Sequence, residues 1–233
     1  MKKIKNQNKV IVTQSHSREI ETPLEILHFP IIEFEKLKYD TSKLYEHYDW
    51  VVITSKNTVK FFKEELKNLS YSHIASIGKT TTKALTEAGF KVDFEPSTYT
   101  QEGFMEEFKV KIGSQVLYPA SNEKRPLMRD FMTTNGANVV EIDLYHPIGN
   151  KESIDCIYEY IKDVSAVTFS SPSGVHVFMD SFQSSELKNL RVVSIGHVTK
   201  RALELYQVDS ISPPYATLES MIKLLEEELN DEI

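Results

Sequence analysis

The 233-residue chain has a single cysteine, Cys156. It therefore forms no intramolecular disulfide and builds no thiolate metal cluster, and a reducing, intracellular setting is expected. No stretch approaches the roughly 18–20 consecutive apolar residues needed to span a bilayer. The start, residues 1–5, is basic, but the apolar run at 10–12 is far too short for a signal-peptide core. The expected location is the cytoplasm, with no membrane partner. Positive charge is also scarce: 27 Lys and Arg against 34 Asp and Glu give a formal net charge of -7. That balance argues against nucleic acid as a partner. It also means that an anionic ligand must be held by local features and not by the overall field.

Several fingerprints are missing too. No G-x-G-x-x-G supports a dinucleotide site. Residues 76–80 (SIGKT) imitate the end of a P-loop, but the required glycine five positions before Gly78 is His73. The seven histidines show no H-E-x-x-H or other ligand spacing, and His28, His73 and His176 read as structural or solvated. No G-x-S-x-G nucleophile elbow occurs. The acidic run 226–228 reads as a solvated helix face. No metal site is expected from these patterns.

What the chain does have is ordinary globular material, 40% hydrophobic and 26% charged, and a stretch that occurs twice. Residues 167–178 (VTFSSPSGVHVF) and 52–62 (VITSKNTVKFF) each pass from a β-rich run through two hydroxyls into an apolar pattern of helical period. The hydroxyls are Thr54-Ser55 and Ser170-Ser171. Each copy reads as strand, tight turn and helix start. Such a junction leaves backbone N–H groups free and a positive dipole end exposed, which suits an anion. Plain helix capping is the simpler reading of either copy alone.

Other landmarks repeat in step. The hydroxyl pairs lie 116 residues apart, Gly78-x-x-Thr81 and Gly196-x-x-Thr199 lie 118 apart, and Thr100-x-Glu102 and Thr217-x-Glu219 lie 117 apart. Strands are expected at 9–13, 50–53, 73–77, 91–94, 116–119, 139–145, 166–169, 191–195 and 208–212, with an apolar run at 26–34 bent by Pro30. Helices are expected at 57–66, 82–88, 100–108, 126–135, 154–162, 174–182, 200–206 and 218–229, and a short one at 42–48. This alternation means an α/β fold with parallel sheets flanked by helices, in two similar domains. Ligands of such sheets bind beyond the carboxyl ends of the strands, so all four junctions are expected to face one cleft.

The ordered set of motifs resembles the uroporphyrinogen-III synthase family over nearly the whole chain, 9–229. It comprises Ile53-Thr54-Ser55 with Val59, Ile77-Gly78-x-x-Thr81 with Leu85 and Gly89-Phe90, and Leu117-Tyr118-Pro119 with Arg125. It continues through Gly136, Val140, Leu144-Tyr145, 169–175 (FSSPSGV) and Ile195-Gly196-x-x-Thr199. The resemblance implies two α/β domains joined by a pair of antiparallel connector strands, one domain being built from both chain ends. Residues 1–30 with 151–233 would form that domain, 37–140 the inserted one, and 31–36 and 141–150 the connectors.

The family closes the linear tetrapyrrole hydroxymethylbilane into a ring with its last pyrrole, ring D, inverted, releasing water without a cofactor. The implied route runs through an azafulvene and a spiro intermediate. Carried over by position, Tyr145 matches the tyrosine that assists the leaving hydroxyl, since a phenol donates a hydrogen bond or proton without being charged. Connector-strand aromatic packing is the alternative for Tyr145. Thr54, Ser55, Gly78, Thr81, Ser170, Ser171, Gly196 and Thr199 match substrate-binding junctions. Lys79, Arg125, His197 and Lys200 stand near enough in sequence to hold substrate carboxylates. The resemblance further implies a monomer, and hydroxymethylbilane synthase as a transient partner.

Two departures stand out. Gln14 occupies a position where the family often has Arg, and the segment after the first strand is short for the usual first helix. These favour a second reading, a non-catalytic two-domain sensor for a carboxylate-rich ligand. A third, a sugar- or nucleotide-binding protein, is weakened by the absent phosphate fingerprints and export signal.

Overall fold

Residues 9–12, Lys-Val-Ile-Val, form the first strand, and three of the four are buried. The computed structural model describes residues 8–15 and 19–230, so the basic start at 1–5 lies outside the described residues. In chain order the strands are β1 (Lys9–Val12), β2 (Glu25–His28), β3 (Ile32–Lys36), β4 (His47–Ile53), β5 (Ser70–Ser76), β6 (Gln115–Ser121), β7 (Asn138–Gly149), β8 (Ala166–Phe169) and β9 (Arg191–Ser194). The helices are α1 (Lys56–Asn68), α2 (Lys79–Glu87), α3 (Gln101–Glu107), α4 (Leu127–Thr134), α5 (Lys151–Tyr160), α6 (Pro172–Ser181), α7 (Ser184–Leu187), α8 (His197–Glu204) and α9 (Leu218–Asn230).

The chain divides into two compact units, one comprising Met1–Glu33 and Ile148–Ile233, the other Phe34–Pro147. The first holds a four-stranded sheet in the order β2-β1-β8-β9, parallel throughout. Strand β8 is buried at every position, as expected where helices cover both faces. On one face Ile11, Val167 and Phe169 pack with Phe178 of α6 and Leu203 of α8. On the other Val10, Val12 and Val193 meet Met221, Ile222 and Leu225 of α9. Burying each such side chain contributes about 1.5–3 kcal/mol.

The sheet of the second unit has the order β3-β7-β6-β4-β5, and β7-β6-β4-β5 run parallel. Val51, Ile53 and Leu117 pack with Phe62 and Leu66 of α1 and Leu85 of α2. The opposite face sets Val52, Val116 and Tyr118 against Phe104 of α3 and Met128 and Met132 of α4. Strand β3 runs against β7: the Leu37 amide donates to the Leu144 carbonyl and the Asn150 amide to the Ile31 carbonyl. Both unit boundaries fall within this pair.

Both sheets therefore share the doubly wound order 2-1-3-4. The repeat is visible in their last edges as well. The expected strand at 91–94 is only a bridge of Phe94 to Ala75, and that at 208–212 only a bridge of Ile211 to Val193. In each copy a proline follows two residues later, Pro96 and Pro213, and without an N–H it ends the ladder.

The apolar run at 26–34 is not one strand. It splits at 29–31 around Pro30, where the Phe29 and Ile31 amides still donate to Val12 and Thr13 while β3 leaves for β7. The short helix expected at 42–48 is a 3₁₀ turn, Thr41–Tyr45, and His47 opens β4. Helices α2, α5, α6 and α8 begin two or three residues before the expected starts, because the polar junction residues themselves form the first turn. Helix α7 is unanticipated. It is capped by Gln183, whose amide donates to Glu186 at 3.0 Å.

The units differ in one connection. Helix α4 joins β6 to β7, whereas the equivalent link, 13–24, has no helix among its described residues. A cavity of about 320 Å³ remains there, walled by Val12, Ile20, Leu24, Ile26, Leu218 and Ile222.

Candidate active site

In a sheet of order 2-1-3-4 the ligand crevice opens at the carboxyl ends of the two central strands, where the winding reverses. That point lies at β1 and β8 in the first unit and at β6 and β4 in the second.

In the first unit Thr13 follows β1 and, buried, donates to the Thr168 carbonyl at 2.7 Å, tying the two switch strands. Beyond β8, Ser171 has extended backbone, and its Oγ accepts from the Gly174 amide at 3.1 Å. Pro172 then occupies the first turn, where no N–H is needed. Ser170 and Ser171 are half-buried. The capping reading holds for Ser171, and it leaves the remaining first-turn amides of α6 for other acceptors. Ser171→Ala is expected to cost about 1 kcal/mol, lowering the melting temperature by about 3 °C in a thermal scan.

The next junction, from β9 into α8, runs through Gly196. His197 is exposed, Lys200 is half-buried and Thr199 is buried. Gly196 has φ 179°, which any residue adopts, and a Cβ there would meet nothing within 4 Å.

In the second unit Ser55 caps α1, its Oγ accepting from the Asn57 amide at 3.1 Å, and Thr54 beside it is half-buried. Gly78 caps α2 with φ +85°, a left-handed conformation that a side chain would strain. Its carbonyl accepts from the Thr81 and Thr82 amides at 2.9 and 3.1 Å. The two copies of Gly-x-x-Thr are thus alike in sequence but not in backbone: only Gly78 requires glycine. Thr81 is buried, and Lys79 is exposed with Nζ 5.4 Å from the centre of the Tyr99 ring.

The other expected residues of the second unit are less free. Arg125, after β6, is exposed and pairs with Glu102 at 3.5 Å. Lys124 is the more buried cation; it lies 2.5 Å from Asp143 and 3.5 Å from Glu141. Tyr145 sits on β7 just past a register shift and is 4% exposed. Its ring packs edge-on to Phe34, centroids 5.6 Å apart, and lies 5.5 Å from Phe61. The hydroxyl makes no hydrogen bond among the described residues.

Three histidines have structural partners. The His28 ring bonds the Gln14 carbonyl, His176 meets the Tyr206 hydroxyl, and His73 packs on Trp50. Among the described residues no group of three His, Cys, Asp or Glu could hold a metal, and no helix is long and apolar enough to cross a membrane.

Some buried groups escaped sequence reasoning. The Tyr118 hydroxyl on β6 and the Thr58 Oγ1 in the first turn of α1 are, with Glu95 Oε1 and Gln101 Oε1, the buried side-chain oxygens without a hydrogen-bond partner among the described residues. Tyr118 lies in an apolar run that reads only as a core strand, so no sequence signal distinguished its oxygen. Burial pushes its phenol above the usual range, the neighbouring Thr54 hydroxyl pulls it partly back, and Glu141 raises it.

The fold and the junctions define a duplicated α/β protein of two doubly wound units, each with hydroxyl-capped helix starts at its switch point. A family model for uroporphyrinogen-III synthase HemD matches residues 21–223. The chain belongs to that family. It is 27% identical over 209 residues to the porphyrin biosynthesis protein HemD of Ruminiclostridium josui, covering 84% of this chain but only 41% of that longer relative. It is 24% identical over 229 residues to the uroporphyrinogen-III synthase of Chlorobaculum parvum, covering 91% of this chain and 93% of the other. The crystal structure of uroporphyrinogen-III synthetase from Helicobacter pylori superposes with a TM-score of 0.67 at 20% identity, covering 95% and 99% of the two chains. That likeness bears on the fold.

Proposed function

We propose that the protein cyclises hydroxymethylbilane to uroporphyrinogen III, inverting ring D and releasing water through an azafulvene and a spiro intermediate. The observation that carries this is the paired construction of the site in a chain of this family. Each sheet carries a strand–hydroxyl–helix junction at its switch point and a Gly-x-x-Thr junction after the neighbouring edge strand.

The first-turn amides of α1, α2, α6 and α8 hold the substrate's carboxylates, with Lys79, Arg125, His197 and Lys200 supplying charge from the same ends of the sheets. Tyr145 donates to the departing hydroxyl as its C–O bond breaks, so that oxygen leaves as water. The substrate closes unaided to the uninverted isomer. The protein's contribution is therefore to hold ring D for attack at its substituted carbon and to keep the competing closure out. No cofactor is required. The enzyme works in the cytoplasm as a monomer and takes its substrate from hydroxymethylbilane synthase.

The test is to add purified protein to fresh hydroxymethylbilane, oxidise the products and separate the porphyrin isomers. Isomer III is expected; isomer I alone would overturn the reading. Gln14 and the link at 13–24, which has no helix among its described residues, favour the second reading, a sensor that binds a polycarboxylate without turning it over. A protein that binds uroporphyrin yet yields isomer I alone would be that sensor.

A further inference from the structure

Both units carry an exposed tyrosine in the same turn. The edge bridges of Phe94 and Ile211 run parallel to β5 and β9. The chain beyond them therefore emerges at the carboxyl end of each sheet, where α2 and α8 also start. In each copy a buried proline follows, Pro96 or Pro213. Next comes a tight turn in which a threonine amide donates to the carbonyl two residues back, Thr100 to Thr98 and Thr217 to Tyr215, both at 2.8 Å. The same threonines cap α3 and α9. Tyr99 lies at the middle of the first turn and Tyr215 at the head of the second, 47% and 72% exposed. One exposed aromatic needs no explanation. Two at adjacent positions of a duplicated turn, both at the ligand end of a sheet, do.

The surroundings of Tyr99 say what it can hold. Its Cβ lies 3.8 Å from where a side chain on Gly78 would begin, so the residue rests on the glycine that opens α2. The Lys79 ammonium stands over the ring, 5.4 Å from its centre. The Thr81 and Thr82 amides turn back to the Gly78 carbonyl, while exposed Lys79 and Thr80 bring theirs to the open end of the helix. Flat apolar surface, a cation and helix amides thus meet at one turn. A simple carboxylate would need only the last two. A pyrrole ring bearing carboxylate side chains needs all three, because its face is apolar and electron-rich and its substituents are anionic.

We infer that Tyr99 and Tyr215 are substrate-binding residues, each a surface on which one pyrrole ring of the tetrapyrrole lies, an assignment that rests on the proposed tetrapyrrole ligand but not on its turnover. At Tyr99 the side chains of that pyrrole reach Lys79 and the first amides of α2. At Tyr215 the matching donor is His197, which opens α8 as Lys79 opens α2. The tyrosines supply affinity for flat rings, and the amides and cations read the carboxylates.

The experiment measures uroporphyrin III binding by fluorescence titration, at low and high salt, for the parent, Tyr99→Phe, Tyr99→Ala, Tyr215→Ala, Lys79→Met and the double variant Tyr99→Ala/Lys79→Met. Tyr99→Ala and Tyr215→Ala are each expected to weaken binding about tenfold at both salt concentrations, the size of one stacked aromatic pair. Tyr99→Phe keeps the ring and should stay within about twofold of the parent. Lys79→Met should lose affinity chiefly at low salt. If Tyr99 served only to hold Lys79, its loss would vanish in the Lys79→Met background; the tenfold drop should persist there. Both alanine variants should melt within about 2 °C of the parent, since the side chains removed are largely exposed. Either alanine variant binding within twofold of the parent, a loss in Tyr99→Phe as large as in Tyr99→Ala, no further loss in the double variant beyond Lys79→Met, or a parent that does not bind uroporphyrin would overturn the assignment. Isomer III formation by the same parent preparation is scored separately, so failure of the synthase reading appears there and failure of the stacking in the dissociation constants.

Discussion

Tyr145→Phe is expected to slow uroporphyrinogen III formation about 100-fold, within the usual range for losing a positioned proton donor, while the fold melts within about 1 °C of the parent. The two halves of that result come from different parts of one side chain. The ring is 4% exposed and held by Phe34 and Phe61, and phenylalanine keeps both contacts. The oxygen has no hydrogen bond to lose among the described residues, so its removal costs the free protein little. Tyr145→Ala would instead empty a core position and cost about 3–5 kcal/mol, and a loss of rate there would say nothing of chemistry. The product mixture gives a second readout. Because the substrate closes unaided, a slowed enzyme should release a growing share as isomer I. An unchanged rate in Tyr145→Phe would remove Tyr145 from the mechanism and leave it as an aromatic of the core.

The junctions were legible in the sequence because each combines two independent signals, a hydroxyl cap and a change from strand to helical period. Ser55 and Ser171 both cap as that pattern demands. The repeat was legible for a similar reason, and it extends to edges that local propensity misjudged: Phe94 and Ile211 close the two sheets by single bridges 117 residues apart. What could not be read was anything decided by long-range neighbours. Gly78 and Gly196 open the same motif, yet only Gly78 turns left-handed, where Tyr99 comes within 3.8 Å of a would-be Cβ. Tyr118 reads as one more apolar strand residue, and its orphaned oxygen emerges only once β6 is laid beside β4. Arg125 reads as a free cation, and Glu102, which holds it, lies on a different element.

Gly103→Ala is expected to destabilise the protein by about 3 kcal/mol and to lower its melting temperature by about 10 °C. Gly103 lies in the first turn of α3, and its amide donates to the capping Thr100 Oγ1 at 3.0 Å. A Cβ at this position would stand 2.4 Å from the Thr98 carbonyl oxygen and 2.7 Å from the Thr98 Cβ. Neither atom is the end of a flexible side chain, so backbone must move. Either the loop around Thr98 shifts or α3 unwinds at its start. Unwinding would disturb Phe104, fully buried and packed with Phe94 and Phe108 at 5.3 and 4.5 Å between ring centroids. A loop shift would carry Tyr99 away from Gly78 and Lys79, so activity should fall along with stability. The repeat supplies the control. Thr217 caps α9 as Thr100 caps α3, its Oγ1 accepting from the Ser220 amide at 3.1 Å, and there the chain carries a side chain where the first copy has none. Ser220→Gly should cost at most about 1 kcal/mol. Thermal unfolding followed by circular dichroism separates the two. A fall of less than 3 °C for Gly103→Ala would mean that the Thr98 loop yields freely and that its approach to α3 does not fix the helix start.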